Sequence, residues 1–327
     1  MSVMVTGGTG FVGIHTVRML ARAGHRVVAF DRNGPDGAAL RFLGDAASKV
    51  AFVRGDVRDR ETVRVALREH GAEMMVHAAA VTATRPDMER LRSPETVEVN
   101  VMGTVAVLEA ARVHTLRRIV HVSSGSIYGR TDPLVPLAET APANPAGLYP
   151  ISKWAGEQVA RRYAEIHGLP VAVARLALPF GPMERDTGAR ALLSPFPGWI
   201  RAAAAGEELA VPDLSVARDY TYAEDVARGI AAVLDADRLS YDTYNVSNGA
   251  RYTVGEILEA LRQHFPGLRH RRAPEEEGVV LALGARTERG PLRPQRLFED
   301  CGFRPAFDLR AGLARTVEWM RGDGMPG

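Results

Sequence analysis

Short apolar runs separated by amphipathic stretches organise the first 175 residues of the chain. Segments 3–6, 26–30, 51–53, 74–77, 118–123 and 171–175 read as strands. Val27-Val28-Ala29-Phe30 does not alternate in polarity, which predicts strands covered on both faces, as in a parallel sheet. Between the strands, about 11–23, 60–69, 95–112 and 150–167 carry helical periodicity. Ser93-Pro94 offers an N-cap followed by a proline suited to a first helical turn. The alternation predicts a doubly wound α/β fold.

Beyond residue 178 the rhythm loosens. Pro and Gly concentrate in 179–217, with a helix expected near 198–206. Residues 222–234 read as a helix and 243–246 as a strand returning to the sheet. Thr253 and Glu256 have capping-box spacing and open a helix ending near His264; a last helix is expected over 309–320. The basic run 269–272 and the acidic run 275–277 read as solvated surface. The expected organisation is one large domain over 1–178, rejoined by 219–248. A smaller carboxy-terminal lobe is then built from 179–218 and 249–327.

Composition removes several classes. The single cysteine, Cys301, excludes a disulfide framework within the chain and any multi-cysteine metal site. A net charge of +2, with arginines scattered, gives no case for a nucleic-acid partner. No apolar run approaches the ~18 residues of a membrane span. The chain opens directly into the first strand without a charged leader, so the cytoplasm is the expected location. Of 41 basic residues, only Lys49 and Lys153 are lysines.

Candidate chemistry begins between the first strand and first helix, at Thr6-Gly7-Gly8-Thr9-Gly10-Phe11-Val12-Gly13. Gly7, Gly10 and Gly13 stand where a dinucleotide fingerprint needs a tight turn, a backbone close to pyrophosphate, and a helix packed on the sheet. Asp31 ends the second strand and suits ribose hydroxyls while repelling a 2′-phosphate, which points to NAD. Adjacent Arg32 keeps NADP as the lesser alternative. Further along, Tyr149 and Lys153 lie four apart on one helix face. An ammonium there lowers the cost of a tyrosinate, so the phenol can exchange a proton with a substrate hydroxyl. In so arginine-rich a chain, a lysine at this position suits a site needing a compact charge. Ser124, at the carboxyl end of a strand, is placed to hydrogen-bond the reacting oxygen.

On these motifs the chain resembles the extended short-chain dehydrogenase/reductases, the NAD-dependent epimerase/dehydratase group. The resemblance extends through Asp56-Val57, His77-Ala78-Ala79-Ala80, Asn100 with Gly103-Thr104, Tyr128-Gly129, Phe180-Gly181-Pro182, and Arg218-Asp219-Tyr220 leading to Asp225-Val226. It implies a Rossmann fold, NAD, and a catalytic set of Ser124, Tyr149 and Lys153. It further implies Asp56 and Val57 around adenine, Ala78, Ala79 and Ala80 beside the cofactor, and Asn100 supporting the site. Arg218 is implied near the nucleotide part of a substrate. His77 has no partner at metal-ligand spacing and reads as a satisfied strand-end histidine; no metal is expected.

Departures bear on the substrate. Gly125 and Ser126 stand where dehydratases of this group carry acids, which argues against dehydration and leaves Ser126 facing substrate. Leu178 replaces an asparagine frequent in nucleotide-sugar enzymes. Leu292-Arg293-Pro294 and Cys301-Gly302-Phe303 also depart from the usual pattern. Arg185 and Arg190, in the loop after Pro182, could grip a carboxylate or phosphate. The leading expectation is a nucleotide-sugar epimerase working through a transient ketone. A dehydrogenase or reductase of a sugar acid or other small hydroxy or keto compound is the alternative, and a non-catalytic nucleotide sensor a distant third. A homodimer is implied through helices 95–112 and 150–167, with Val97, Val101, Val105 and Leu108 as an apolar stripe.

Overall fold

The structure, a computed structural model, describes residues 1–190, 192–274 and 288–322. Seven parallel strands form the central sheet: β1 (Ser2–Thr6), β2 (Arg26–Asp31), β3 (Val50–Arg54), β4 (Met74–His77), β5 (Arg118–Ser124), β6 (Val171–Leu176) and the Thr243–Val246 strand. Their spatial order is Thr243–Val246, β6, β5, β4, β1, β2, β3. The order reverses beside β1, so the crevice for a ligand opens at the carboxyl ends of β1 and β4. The apolar run of β2 is buried, with Val27 and Ala29 in one core cluster and Val28 and Phe30 in another. Both sheet faces are therefore covered, as the unbroken hydrophobicity predicts.

A further apolar cluster lies outside the sheet domain. It joins Phe180, Phe196, Trp199, Tyr220 and Tyr222 to the Val254–Arg262 and Leu309–Gly322 helices. Thr253 caps the first of these helices by the expected capping box. Several elements escaped the sequence pattern because they are short. Helices occur at Gly37–Leu43, Pro86–Leu91 and Gln295–Cys301. The strand Leu178–Phe180 pairs with Tyr220–Tyr222.

Three expectations change. The helix expected over 95–112 starts at Ser93 and is interrupted by a π turn at Glu98–Met102, centred on Asn100. Such insertions re-aim side chains and concentrate at functional sites. The next helix starts at Leu148, which places Tyr149 in its first turn. The basic run 269–272 is not only surface: His270–Arg272 pairs in parallel with Leu209–Val211. The acidic run 275–277 lies outside the described residues. Among those described, no helix is long and apolar enough to cross a membrane.

Candidate active site

One cleft of about 1310 Å³ runs over the carboxyl ends of the central strands. One side of it begins at the glycine loop. Gly7 has φ +68°, and a Cβ there would lie 2.7 Å from the Cα of Ala79. A Cβ on Gly13 would lie 1.8 Å from the Gly7 carbonyl oxygen. Neither position admits another residue without moving backbone, so this cradle is shaped for a close-lying group. Gly10, Phe11, Val12, Ala78, Ala79 and Ala80 line the same wall. Asp31 receives the Thr9 and Asn33 backbone N–H groups, which fixes its carboxylate at the end of β2. Arg32 is paired with Glu95 at 3.2 Å and Asp56 with Arg58 at 2.7 Å; with Val57 they close the far end.

Ser124, Tyr149 and Lys153 line the same cleft, with the Ser124 hydroxyl at hydrogen-bond distance of the Tyr149 phenol and Lys153 one turn further along the Tyr149 helix. Ser124 ends β5 and its Oγ accepts from Ser126 N at 3.1 Å and from Ser126 Oγ at 2.9 Å. Both bonds use the serine oxygen as acceptor, so its own proton is left to donate into the cleft. Burial pushes the Tyr149 phenol above its ordinary value, and the nearby Ser124 and Thr82 hydroxyls oppose that shift. The guanidinium groups that favour the phenolate belong to Arg190 and Arg289. Burial holds Lys153 down to about 8, against the opposing charge of Glu157. Glu157 is itself bound by Arg175, at 2.5 and 3.1 Å, and by Ser123 Oγ at 2.9 Å. This buried knot fastens the Tyr149–Lys153 helix to β5 and β6.

Two expected residues do not line the cleft. Asn100 is buried behind it: Oδ1 accepts from Val81 N at 2.8 Å, and Nδ2 donates to Val81 O and Ser152 Oγ. Arg218 is buried on its short strand, where Nη1 donates to the Ala217 carbonyl. Arg185 reaches the rim and pairs with Asp36 at 2.6 Å.

The opposite side of the cleft also contains residues the sequence did not single out. Glu184, buried behind the left-handed Met183 (φ 67°), accepts from Arg190 Nη2 at 2.6 Å and Ser194 N at 2.8 Å, shaping that wall. Thr82 N donates to Ala189 O at 2.7 Å, joining the wall to the segment after β4. Arg289 is buried yet lines the cleft, and among the described residues no carboxylate lies at ion-pair distance from it. The opposing charge that acts on it most is Asp219, whose carboxyl burial pushes up to about 6 while it accepts from Leu292 N and Ser247 Oγ. In so arginine-rich a chain, sequence carried no signal separating Arg289 from its neighbours.

A Rossmann sheet, a glycine cradle with its ribose-end acid, and a Ser–Tyr–Lys group across one cleft define a dinucleotide-dependent redox enzyme of the short-chain type. The NAD dependent epimerase/dehydratase family model matches residues 3–247, and the chain belongs to that family. A UDP-glucose 4-epimerase of Mycolicibacterium smegmatis is 30% identical over 98% of this chain and 99% of its own. A dTDP-glucose 4,6-dehydratase of Xanthomonas campestris is 29% identical over 97% of this chain and 92% of its own. Among solved structures, Thermus thermophilus UDP-glucose 4-epimerase in complex with NAD superposes with a TM-score of 0.81. That structure is 28% identical and covers 99% of this chain and all of its own. The family uses NAD, and the cradle at Gly7, Gly13 and Ala79 with Asp31 fits that cofactor.

Proposed function

We propose that this enzyme epimerises a nucleotide-linked sugar. The observation that carries the reading is that Ser124, hydrogen-bonded to Tyr149, and Lys153 line one cleft with the glycine cradle, with no acid on the Gly125–Ser126 turn. NAD, when bound, supplies the reversible two-electron chemistry. Tyr149 takes the proton from a ring hydroxyl and returns it after the transient ketone has turned over. Ser124 donates to the reacting oxygen, and Ser126 holds Ser124 in that orientation. Lys153 holds the nicotinamide ribose and keeps positive charge beside the phenol. Gly7, Gly10, Gly13, Ala78–Ala80, Asp31, Asp56 and Val57 bind the rest of the cofactor; Arg32 faces its adenosine end. Asn100 acts from behind by fixing Val81 and Ser152.

The Gly125–Ser126 turn, where dehydratases of this group carry acids, has none. A Cβ on Gly125 would lie 2.8 Å from Leu292 Cδ1, so this turn has no room for a carboxylate unless Leu292 moves. That supports epimerisation over the chemistry of the dehydratase relatives. Arg289 takes an anionic part of the substrate, with Arg185 and Arg190 at the rim; Arg218 supports that wall from beneath. Leu178 lines the cleft and cannot hydrogen-bond a diphosphate, which favours oxidation or reduction of a sugar acid as the second reading. Incubation with UDP- or dTDP-hexoses and catalytic NAD separates the two. Epimer formed without net NADH supports the first, and NADH formed in proportion to product supports the second.

The same reading assigns 1–178 and 219–248 to the cofactor domain and 179–218 and 249–327 to the substrate lobe, in a cytoplasmic enzyme. It includes a homodimer through the two helical segments beside the cleft. Val97, Met102, Ile151 and Ile166 are exposed there, whereas Leu108 is buried within the subunit and leaves the expected stripe. Sedimentation at a single subunit mass would contradict the dimer.

A further inference from the structure

His77 ends β4, and it is buried in the floor of the cleft rather than exposed to it. Its Nδ1 lies 2.7 Å from Thr6 Oγ1 and its Nε2 lies 3.1 Å from Thr104 Oγ1. The donors can be assigned. Thr104 Oγ1 gives its single proton to the Asn100 carbonyl at 2.8 Å, so toward His77 it can only accept. His77 therefore carries its proton on Nε2, and Nδ1 accepts from Thr6. Thr6 Oγ1 in turn accepts from Ala79 N at 3.4 Å.

The chain of bonds continues beyond Asn100. Asn100 Nδ2 donates to Ser152 Oγ at 2.9 Å, and Ser152 Oγ donates to the Tyr149 carbonyl at 2.8 Å. Thr6, His77, Thr104, Asn100 and Ser152 are each at most 2% exposed. A buried run of bonds, each with one possible direction, thus joins Ala79, against which Gly7 packs, to the turn that carries Tyr149. Protonating His77 would put a second donor against Thr6 beside the Lys153 ammonium, and burial with that charge pushes the ring down to about 3.

We propose that His77, fixed as the Nε2–H tautomer, is a positioning residue that sets the Tyr149 turn against the cofactor cradle. It touches no reacting atom. The inference rests on the reading that Tyr149 handles the proton, but its test needs no sugar.

The test uses NAD-loaded full-length protein carrying 3-fluorotyrosine, whose more acidic phenol titrates at an accessible pH, with Tyr149→Phe identifying the Tyr149 fluorine signal. His77→Phe keeps a ring and removes both its bonds; Thr104→Val removes the bonds to His77 and to the Asn100 carbonyl while keeping the ring, and reports even if the first variant does not fold. Both should raise the Tyr149 midpoint by about one pH unit. His77→Gln, which can still donate to Thr104, should restore most of it. An unchanged midpoint in His77→Phe or Thr104→Val, together with lowered thermal stability, would make His77 a packing residue and overturn the proposal. Failure of the glutamine variant to restore the midpoint would overturn the tautomer assignment. If Tyr149→Phe retained full turnover while these shifts appeared, the functional reading would fail and the positioning role would stand.

Discussion

The two sides of the cleft are built in different ways. The side at the glycine loop is backbone: Gly7, Gly13 and Ala79 at the ends of β1 and β4 approach so closely that Gly7 and Gly13 admit no side chain. The other side is made of polar side chains on three separate segments. Ser126 lies on the turn after β5, Arg190 on the loop after the Leu178–Phe180 strand, and Arg289 on the approach to the Gln295–Cys301 helix. Tertiary bonds anchor those segments to the rest of the fold, such as Thr82 N to Ala189 O and Leu292 N to Asp219. Backbone shape tolerates little change, whereas charged side chains can be exchanged to suit a new substrate. A family can therefore keep its cofactor and vary its reaction.

This contrast can be broken or sharpened by substitution. The largest effect should come where the two sides meet. Tyr149→Phe should reduce kcat on the order of 10³-fold with intact NAD binding, measured by turnover and by cofactor titration. On the glycine-loop side, Gly13→Ala must displace the Gly7 carbonyl, and NAD affinity should fall on the order of 100-fold by calorimetry. An alanine tolerated there without loss would remove the basis for a backbone-defined cradle. On the other side, Arg289→Gln should raise KM roughly 10- to 30-fold and leave NAD affinity unchanged. Arg185→Ala should change KM no more than about twofold, because its pair with Asp36 lies at the solvent-exposed rim.

Acid should weaken the fold in a defined window. Burial lowers His15 to about 4 and His77 to about 3, so the unfolded chain binds their protons first. Stability from these groups is complete above the unfolded value near 6.5 and declines as pH falls toward 4 and 3. Chemical denaturation between pH 7 and pH 4 should show this slope, and His15→Phe should flatten it (the histidine's bond to the Pro182 carbonyl being a separate, pH-independent loss).

What could be read from the sequence follows the same division. That Gly7, Gly13, Asp31, Tyr149 and Lys153 line the cleft was legible because it depends on local spacing: one strand–helix–strand unit for the first three and one helical turn for the last two. The central strands were legible from unbroken apolar runs. Arg289 was not, because its place at the cleft depends on bonds between segments remote in sequence. The π turn at Asn100 was hidden for a related reason: helical periodicity continues through it, while tertiary bonds to Val81 and Ser152 decide where the asparagine points.

The most direct test of epimerisation follows the hydrogen on the reacting carbon. A nucleotide hexose deuterated there should yield its epimer with the deuterium still on that carbon and with no net NADH. Deuterium recovered in reduced cofactor in proportion to a keto or acid product, or a product that has lost water, would contradict epimerisation.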